Sequence, residues 1–67
     1  MESALRVGDL VAPTRASPTF HEKHGFGVIM AVSTYEVNSA EVTTYHVKFV
    51  KSLRTFRFSF DGVRRYE

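Results

Sequence analysis

The hexapeptide Thr55-Phe56-Arg57-Phe58-Ser59-Phe60 decides the fold, because aromatic and polar side chains alternate along it at every step. Successive side chains of a β-strand point to opposite faces of a sheet, so this stretch predicts a strand with an aromatic face and a polar face. The stretch Val42 to Val50 has the same period. It places Tyr45, Val47 and Phe49 on one face and Thr44, His46 and Lys48 on the other. We therefore predict two strands that each bury one face and expose the other.

Turn residues and shorter apolar runs predict two strands that precede this pair. The first, Leu10-Val11-Ala12, follows a turn at Gly8-Asp9 and stops at Pro13. The second opens at Gly25-Phe26-Gly27 and runs through Val32, with Val37 as its further limit. Its two closely spaced glycines predict a bulge or a close approach of another backbone.

The remaining turns complete the predicted order of strands. Asn38-Ser39-Ala40 is predicted to be a hairpin loop, and Lys51 to Arg54 forms the next turn. Asp61-Gly62 is a strong turn signal, and Val63 to Tyr66 is predicted to be a short last strand.

Five short strands in 67 residues must curl and close on themselves to bury their apolar faces, and no window shows the apolar spacing of a helix. The predicted fold is all-β: one small five-stranded SH3-like or Tudor-like barrel over residues 1–67. Residues 14–24 are predicted to form a long loop, since Phe20 is their one large apolar side chain. Long loops in small domains are often functional, so Arg15, Phe20 and Lys23 are predicted loop contacts.

The charges of the chain are unevenly distributed, although the net charge is only +2. Between Lys48 and Arg65 the sequence has six basic residues against Asp61 alone. Such a skew favours a polyanion or an acidic protein surface as partner, and a solvated strand face is the alternative. The predicted partner-binding or nucleic-acid-binding residues are Tyr35, His46, Lys48, Lys51, Arg54, Arg57, Arg64 and Arg65.

Most aromatic side chains are predicted to form the core. A cage for a methylated lysine or a platform for stacked bases is the alternative. Phe20, Tyr35 and Tyr66 lie outside the regular alternation and are predicted to be exposed contacts. The residues predicted to pack in the core are Tyr45, Phe49, Phe56, Phe58 and Phe60.

Catalytic and metal-binding patterns are weak in this sequence. It has no cysteine, no nucleophile elbow and no phosphate-binding glycine loop, and its carboxylates are scattered, so we expect neither an enzyme nor a cofactor. His21 and His24 are three residues apart in the predicted loop, and His46 is far along the chain. We therefore expect a polar loop there and no metal site. The first residues contain no long apolar run, so we expect no membrane association and a cytoplasmic location.

Two segments resemble the opening of Tudor-like and KOW-like barrels: Val7-Gly8-Asp9-Leu10-Val11-Ala12-Pro13 and His24-Gly25-Phe26-Gly27-Val28-Ile29. The closest resemblance is to the RNA-polymerase-interacting domain of CarD-type transcription regulators and transcription-repair coupling factors. Tyr45-His46-Val47 and Thr55-Phe56-Arg57-Phe58 are similar to two later strands of that family. The chain departs from the family by inserting Thr14 to Lys23 where the family has a tight connection.

The resemblance implies a barrel that docks through its strands on the β subunit of RNA polymerase, with Arg57 and Tyr35 facing the polymerase. The leading hypothesis is therefore a non-catalytic module that binds a protein partner such as RNA polymerase. Direct binding of DNA or RNA through the basic region 48–65 is one alternative. Self-association by pairing of strand edges is another, and the oligomeric state is left open.

Overall fold

The computed structural model describes residues 5–66, which form one antiparallel sheet and one short helix. All five predicted strands are present, and the mostly β character of the prediction is confirmed. The strands lie in the order β4-β3-β2-β1-β5. The elements are β1 (Leu10–Pro13), α1 (Pro18–His24), β2 (Gly27–Val37), β3 (Ala40–Phe49), β4 (Thr55–Ser59) and β5 (Val63–Arg65).

The sheet is open rather than closed into a barrel. Within residues 5–66, β4 and β5 are the two edges, and no ladder joins them. The connection between these edges is nevertheless only three residues long, from Phe60 to Gly62. Four chain steps span at most about 14 Å, whereas five flat strands would separate their edges by roughly 19 Å. The sheet must therefore curl, so that its two edges converge at this turn.

The core lies on one face of the sheet, which we call the inner face. It carries Tyr45, Val47 and Phe49, as their alternation predicts. The same cluster includes Val11, Ile29 and Val63, and the half-buried Phe56 and Phe58 pack against it. The prediction that Phe60 belongs to this core is wrong. β4 ends at Ser59 and Phe60 begins the turn, which leaves it 65% exposed.

The predicted loop over residues 14–24 is largely a helix, which is a second correction. The Ser17 hydroxyl accepts a hydrogen bond from the Phe20 N–H at 3.1 Å, and Pro18 occupies the first turn, so the segment has both signals of a helix start. Gly25 ends the helix with φ of 71°, a conformation that glycine adopts without strain.

Helix α1 covers one end of the core. Phe20 and His24 are four residues apart and share the face turned to the sheet. The Phe20 ring centroid lies 5.3 Å from that of Phe49 and 5.8 Å from that of Phe56, both in edge-on geometry. The prediction that Phe20 is an exposed contact is therefore wrong, because the helix turns it inward.

Backbones approach closely at the start of β2, as the paired glycines predict. A Cβ on Gly27 would overlap Cγ1 of Val47 on the neighbouring strand. The irregularity in the β2–β3 ladder lies further on, between Ile29 and Ala31, and Met30 is 53% exposed there. The glycines therefore serve packing and the end of the helix, and the bulge has a different position.

The hairpin of β2 and β3 extends beyond the rest of the sheet. Asn38 and Ser39 form its turn with φ of 50° and 65°, the combination typical of a tight two-residue hairpin. Residues 34–43, which we call the arm, pair only with each other, because β1 and β4 do not reach them. None of residues 5–66 belongs to a helix that is long and apolar enough to cross a bilayer.

Candidate functional site

The register of β3 and β4 brings the polar residues of both strands together on the outer face, opposite the core. His46 lies opposite Arg57, and Lys48 lies opposite Thr55. We call this set the basic strip. Its six members are Thr44, His46, Lys48, Thr55, Arg57 and Ser59.

In the ladders that the structure describes, no acidic residue lies opposite a cation of the basic strip; the carboxylate at the end of the strip is Asp61, which accepts from the Ser59 hydroxyl at 2.8 Å. Lys48 lies between Thr55 and Val28, and His46 lies between Arg57 and Ala31. The His46 Nε2 atom is 3.4 Å from the Ser33 hydroxyl. Lys48 and Arg57 are exposed, so both charges are available to a partner.

Strand β4 is also an open edge. It pairs with β3 on one side only, so half of its backbone N–H and C=O groups point away from the sheet. Its polar outer residues, with Arg57 at the centre, lie directly beside these groups. Such an edge is a template for an added strand, and the cation favours an acidic one.

The arm continues the outer face with an apolar patch. Tyr35 lies opposite Val42, and Val37 lies opposite Ala40. Tyr35 is 51% exposed and Val37 is 45% exposed. The predicted contact residue Tyr35 is therefore on the same face as the basic strip, at its far end.

Five of the predicted binding residues lie outside the basic strip: Tyr35 is on the arm, Arg64 is on β5, and the other three are Lys51, Arg54 and Arg65. Lys51 donates from Nζ to the Glu22 carbonyl at 2.7 Å, which ties the β3–β4 connection to the end of α1. Arg54 is exposed in the same connection. Arg65 forms an ion pair with Asp9, with 3.3 Å between Nη1 and Oδ2. These positions have local structural partners or lie at the sheet's end, and they do not extend the strip.

The predicted loop contacts divide between two places. Arg15 lines an open cleft of about 550 Å³ between the β1–α1 connection and the β4–β5 turn. Lys23 is exposed on α1. The cleft is lined by Pro13, Thr14, Arg15, Phe58, Asp61 and Gly62.

Strand β5 adds a second cluster that the sequence analysis did not assemble. Arg64 lies opposite Ala12 on the outer face, and the Tyr66 N–H donates to the Leu10 carbonyl. The Tyr66 ring stacks on Phe26 with centroids 4.8 Å apart and planes 17° apart. The signal available in the sequence was Phe26 itself, an aromatic residue between two glycines.

The histidines of the helix do not assemble a metal site. The Nδ1 atom of buried His24 is 2.7 Å from the Ser52 hydroxyl, and its ring lies against Phe20, with centroids 4.4 Å apart. His21 is exposed on the same helix. In the part of the chain that the structure describes, no three histidine or carboxylate side chains gather around a common point.

Comparison with known proteins finds no matching family model, no matching curated protein and no matching solved structure.

Proposed function

We propose that this chain is a non-catalytic docking module that binds a protein partner through β4, the basic strip and the arm. The open edge of β4 beside the exposed Arg57 is the observation that carries the proposal. An edge strand offers unpaired backbone groups to an added strand, and a cation in its centre selects for acidic side chains.

The arm gives this docking surface a second contact of different chemistry. The patch formed by Tyr35, Val37 and Val42 is apolar and continuous with the outer face. Aromatic side chains contribute most of the binding energy in many interfaces, whereas rim charges mainly set specificity and association rate. We assign anchoring to Tyr35 and selection of the partner to Arg57.

We infer that the fold supporting this function is an SH3-like or Tudor-like barrel whose sheet curls but does not close, because in the described part of the chain no ladder joins β4 to β5. The three-residue connection between β4 and β5 supports this inference, because it forces the edges of the sheet to converge. Four strands follow one another in the sheet, and β5 returns to pair with β1. A curled sheet of this kind leaves the β4 edge free for a partner.

The partner to test first is the β subunit of RNA polymerase. The motivation is the resemblance of residues 7–13 and 24–29 to the polymerase-interacting domain of CarD-type regulators and coupling factors. The resemblance implies that Arg57 and neighbouring strand residues such as Tyr35 face the polymerase, and a shared outer face for these two residues supports the proposal. On this proposal, the chain is an accessory factor of transcription.

The test measures binding of the purified chain to purified RNA polymerase by biolayer interferometry. Arg57→Glu is expected to weaken binding at least tenfold, because reversing a charge that faces an acidic strand adds repulsion to the lost attraction, about 1.4 kcal/mol or more. Tyr35→Ala is expected to weaken it as well. Lys23→Glu makes the same change of charge on the exposed side of α1 and should leave binding unchanged.

The competing outcomes are distinct. Absence of binding to polymerase, or equal losses from Arg57→Glu and Lys23→Glu, would contradict the docking proposal. The alternative occupant of the β4 edge is a second copy of the chain. Sedimentation of the chain over a range of concentrations tests this alternative. A mass that rises with concentration and falls in Arg57→Glu would replace docking by self-association.

A further inference from the structure

The outer face across β5, β1 and β2 carries a second surface, which shares only Lys48 with the basic strip of the docking proposal. Tyr66 is 48% exposed and lies over Phe26, which is itself half-buried. The two rings are nearly parallel, so the pair presents a flat aromatic surface at the edge of the sheet. A third flat ring, supplied by a ligand, can stack on this pair, and no hydrogen bond has to be displaced for it to do so.

The register places cations on the same face as this stack. Arg64 is two residues before Tyr66 and therefore shares its side of the strand. Neighbours on adjacent strands form a row across the sheet. Tyr66 lies beside Leu10, Leu10 lies opposite Val28, and Val28 lies opposite Lys48. Tyr66 and Lys48 are thus three strands apart, about 14 Å at the usual strand spacing.

No strand residue that the structure describes on this face is acidic. Among the strand residues that the structure describes, the acidic ones are Glu36 and Glu41, which lie opposite each other on the other face of the arm. Asp9 also lies off this face, since its carboxylate accepts from the Arg6 N–H at 2.8 Å and pairs with Arg65. Asp61 lies at the β4–β5 turn, where it accepts from the Ser59 hydroxyl at 2.8 Å. Among residues 5–66, the part of the outer face across β5, β1 and β2 as far as Lys48 therefore combines exposed cations with a flat aromatic stack, and none of its strand residues is acidic.

We propose that this surface binds a single-stranded polynucleotide, with an unpaired base stacked on Tyr66 and the backbone phosphates against Arg64 and Lys48. Bases stack on aromatic side chains with little dependence on sequence, and lysine and arginine follow the phosphates. A paired base cannot reach a ring that lies on an outer sheet face, so the single strand is selected over the duplex. This surface is separate from the Arg57 edge, and the two proposals can fail independently.

The test is fluorescence anisotropy of labelled oligothymidine and oligouridine of about ten nucleotides, titrated with the chain at salt concentrations from about 50 to 200 mM. Binding is expected to weaken as salt rises, because cations on the protein displace counterions from the phosphates. Tyr66→Ala should weaken binding about fivefold or more, whereas Tyr66→Phe keeps the ring and should bind like the unmodified chain. Arg64→Gln should lower the slope of log K against log salt by about 0.7.

Lys23→Gln is the matched control, because it removes one charge from the exposed side of α1 and should leave the slope unchanged. Circular dichroism verifies the folding of each variant. Amide shifts of the unmodified chain provide a readout that needs no variant, with changes expected at Leu10, Val28 and Lys48. The proposal is overturned by absent binding at the lowest salt, by equal affinity for duplex, or by shifts confined to other residues.

Discussion

Gly27 shows how closely the strands of this small core approach one another. Its backbone faces Val47 and Phe49 on β3, and both of these side chains are fully buried. Any Cβ at this position would occupy space that Val47 already fills. A core of this size contains few other atoms that can shift to relieve such a collision.

Gly27→Ala should therefore lower the free energy of unfolding by about 2–3 kcal/mol, the cost of overpacking a rigid site. Gly8→Ala is the matched control. Gly8 has open space around its Cα but a φ of 95°, so its variant should lose only about 1 kcal/mol from backbone strain. Urea denaturation of both variants gives the comparison. A larger loss at Gly8 than at Gly27 would contradict this account of the packing.

At the scale of elements, helix α1 depends on contacts with the sheet more than on its own sequence. It has seven residues, too few to be stable alone in water. His24 connects it to the rest of the fold through the Ser52 hydroxyl and through the rings of Phe49 and Phe56 on the sheet. Lys51 adds a bond from its side chain to the Glu22 carbonyl.

His24→Ala should lower the free energy of unfolding by about 2–4 kcal/mol, because it removes a buried ring and leaves the Ser52 hydroxyl with the Arg54 N–H alone, at 3.3 Å. A domain of this size has a total stability of roughly 3–5 kcal/mol, so the variant should unfold close to room temperature. His21→Ala, on the exposed side of the same helix, should change stability by less than about 0.5 kcal/mol. Thermal unfolding followed by circular dichroism distinguishes them, and equal effects would mean that His24 does not anchor the helix.

The elements that could be predicted from sequence are those with a sustained local period. β3 and β4 alternate over several residues, so their faces and the basic strip follow from the sequence alone. Helix α1 is shorter than two full periods of an amphipathic pattern, and the Ser17 cap followed by Pro18 was the signal that could have indicated it. Phe60 continues the alternation of β4 but falls in the turn, because the strand ends where the chain must cross to the other edge of the sheet.

At the scale of the whole molecule, stability is concentrated at one end. The core residues Ile29 and Val47 lie on strands that are paired on both sides. Val63 lies on the edge strand β5 but belongs to the same buried cluster. The arm has neither, and every residue from Met30 to Glu41 is exposed. Local opening of the arm should therefore require much less free energy than unfolding of the body.

Hydrogen exchange measured by NMR tests this difference. The Ile29 N–H donates to the Asp9 carbonyl within the body, whereas the hydrogen bonds of Thr34 and Val42 belong to a free two-stranded ribbon. The Ile29 amide should exchange at least about a hundredfold more slowly than those of the arm, once intrinsic rates are removed. Equal protection along β2 would show that the arm and the body open together.

The second surface could not have been predicted from sequence, because it depends on the order of strands. Phe26 and Tyr66 are forty positions apart, and they meet only because β5 returns to pair with β1. Lys48 joins the same row through β2. Composition indicated a basic region between Lys48 and Arg65, but the register divides its charges between two faces of the sheet and the connecting turns.

The Asn38–Ser39 turn has a consequence for engineering. It lies at the tip of a ribbon whose residues contribute nothing to the core, and tips of this kind tolerate inserted chain. A peptide epitope or a sensor loop inserted there would be displayed at the end of a two-stranded stem, away from the buried contacts of the body. The same hairpin that carries the exposed Tyr35 is thus a natural position for an inserted segment.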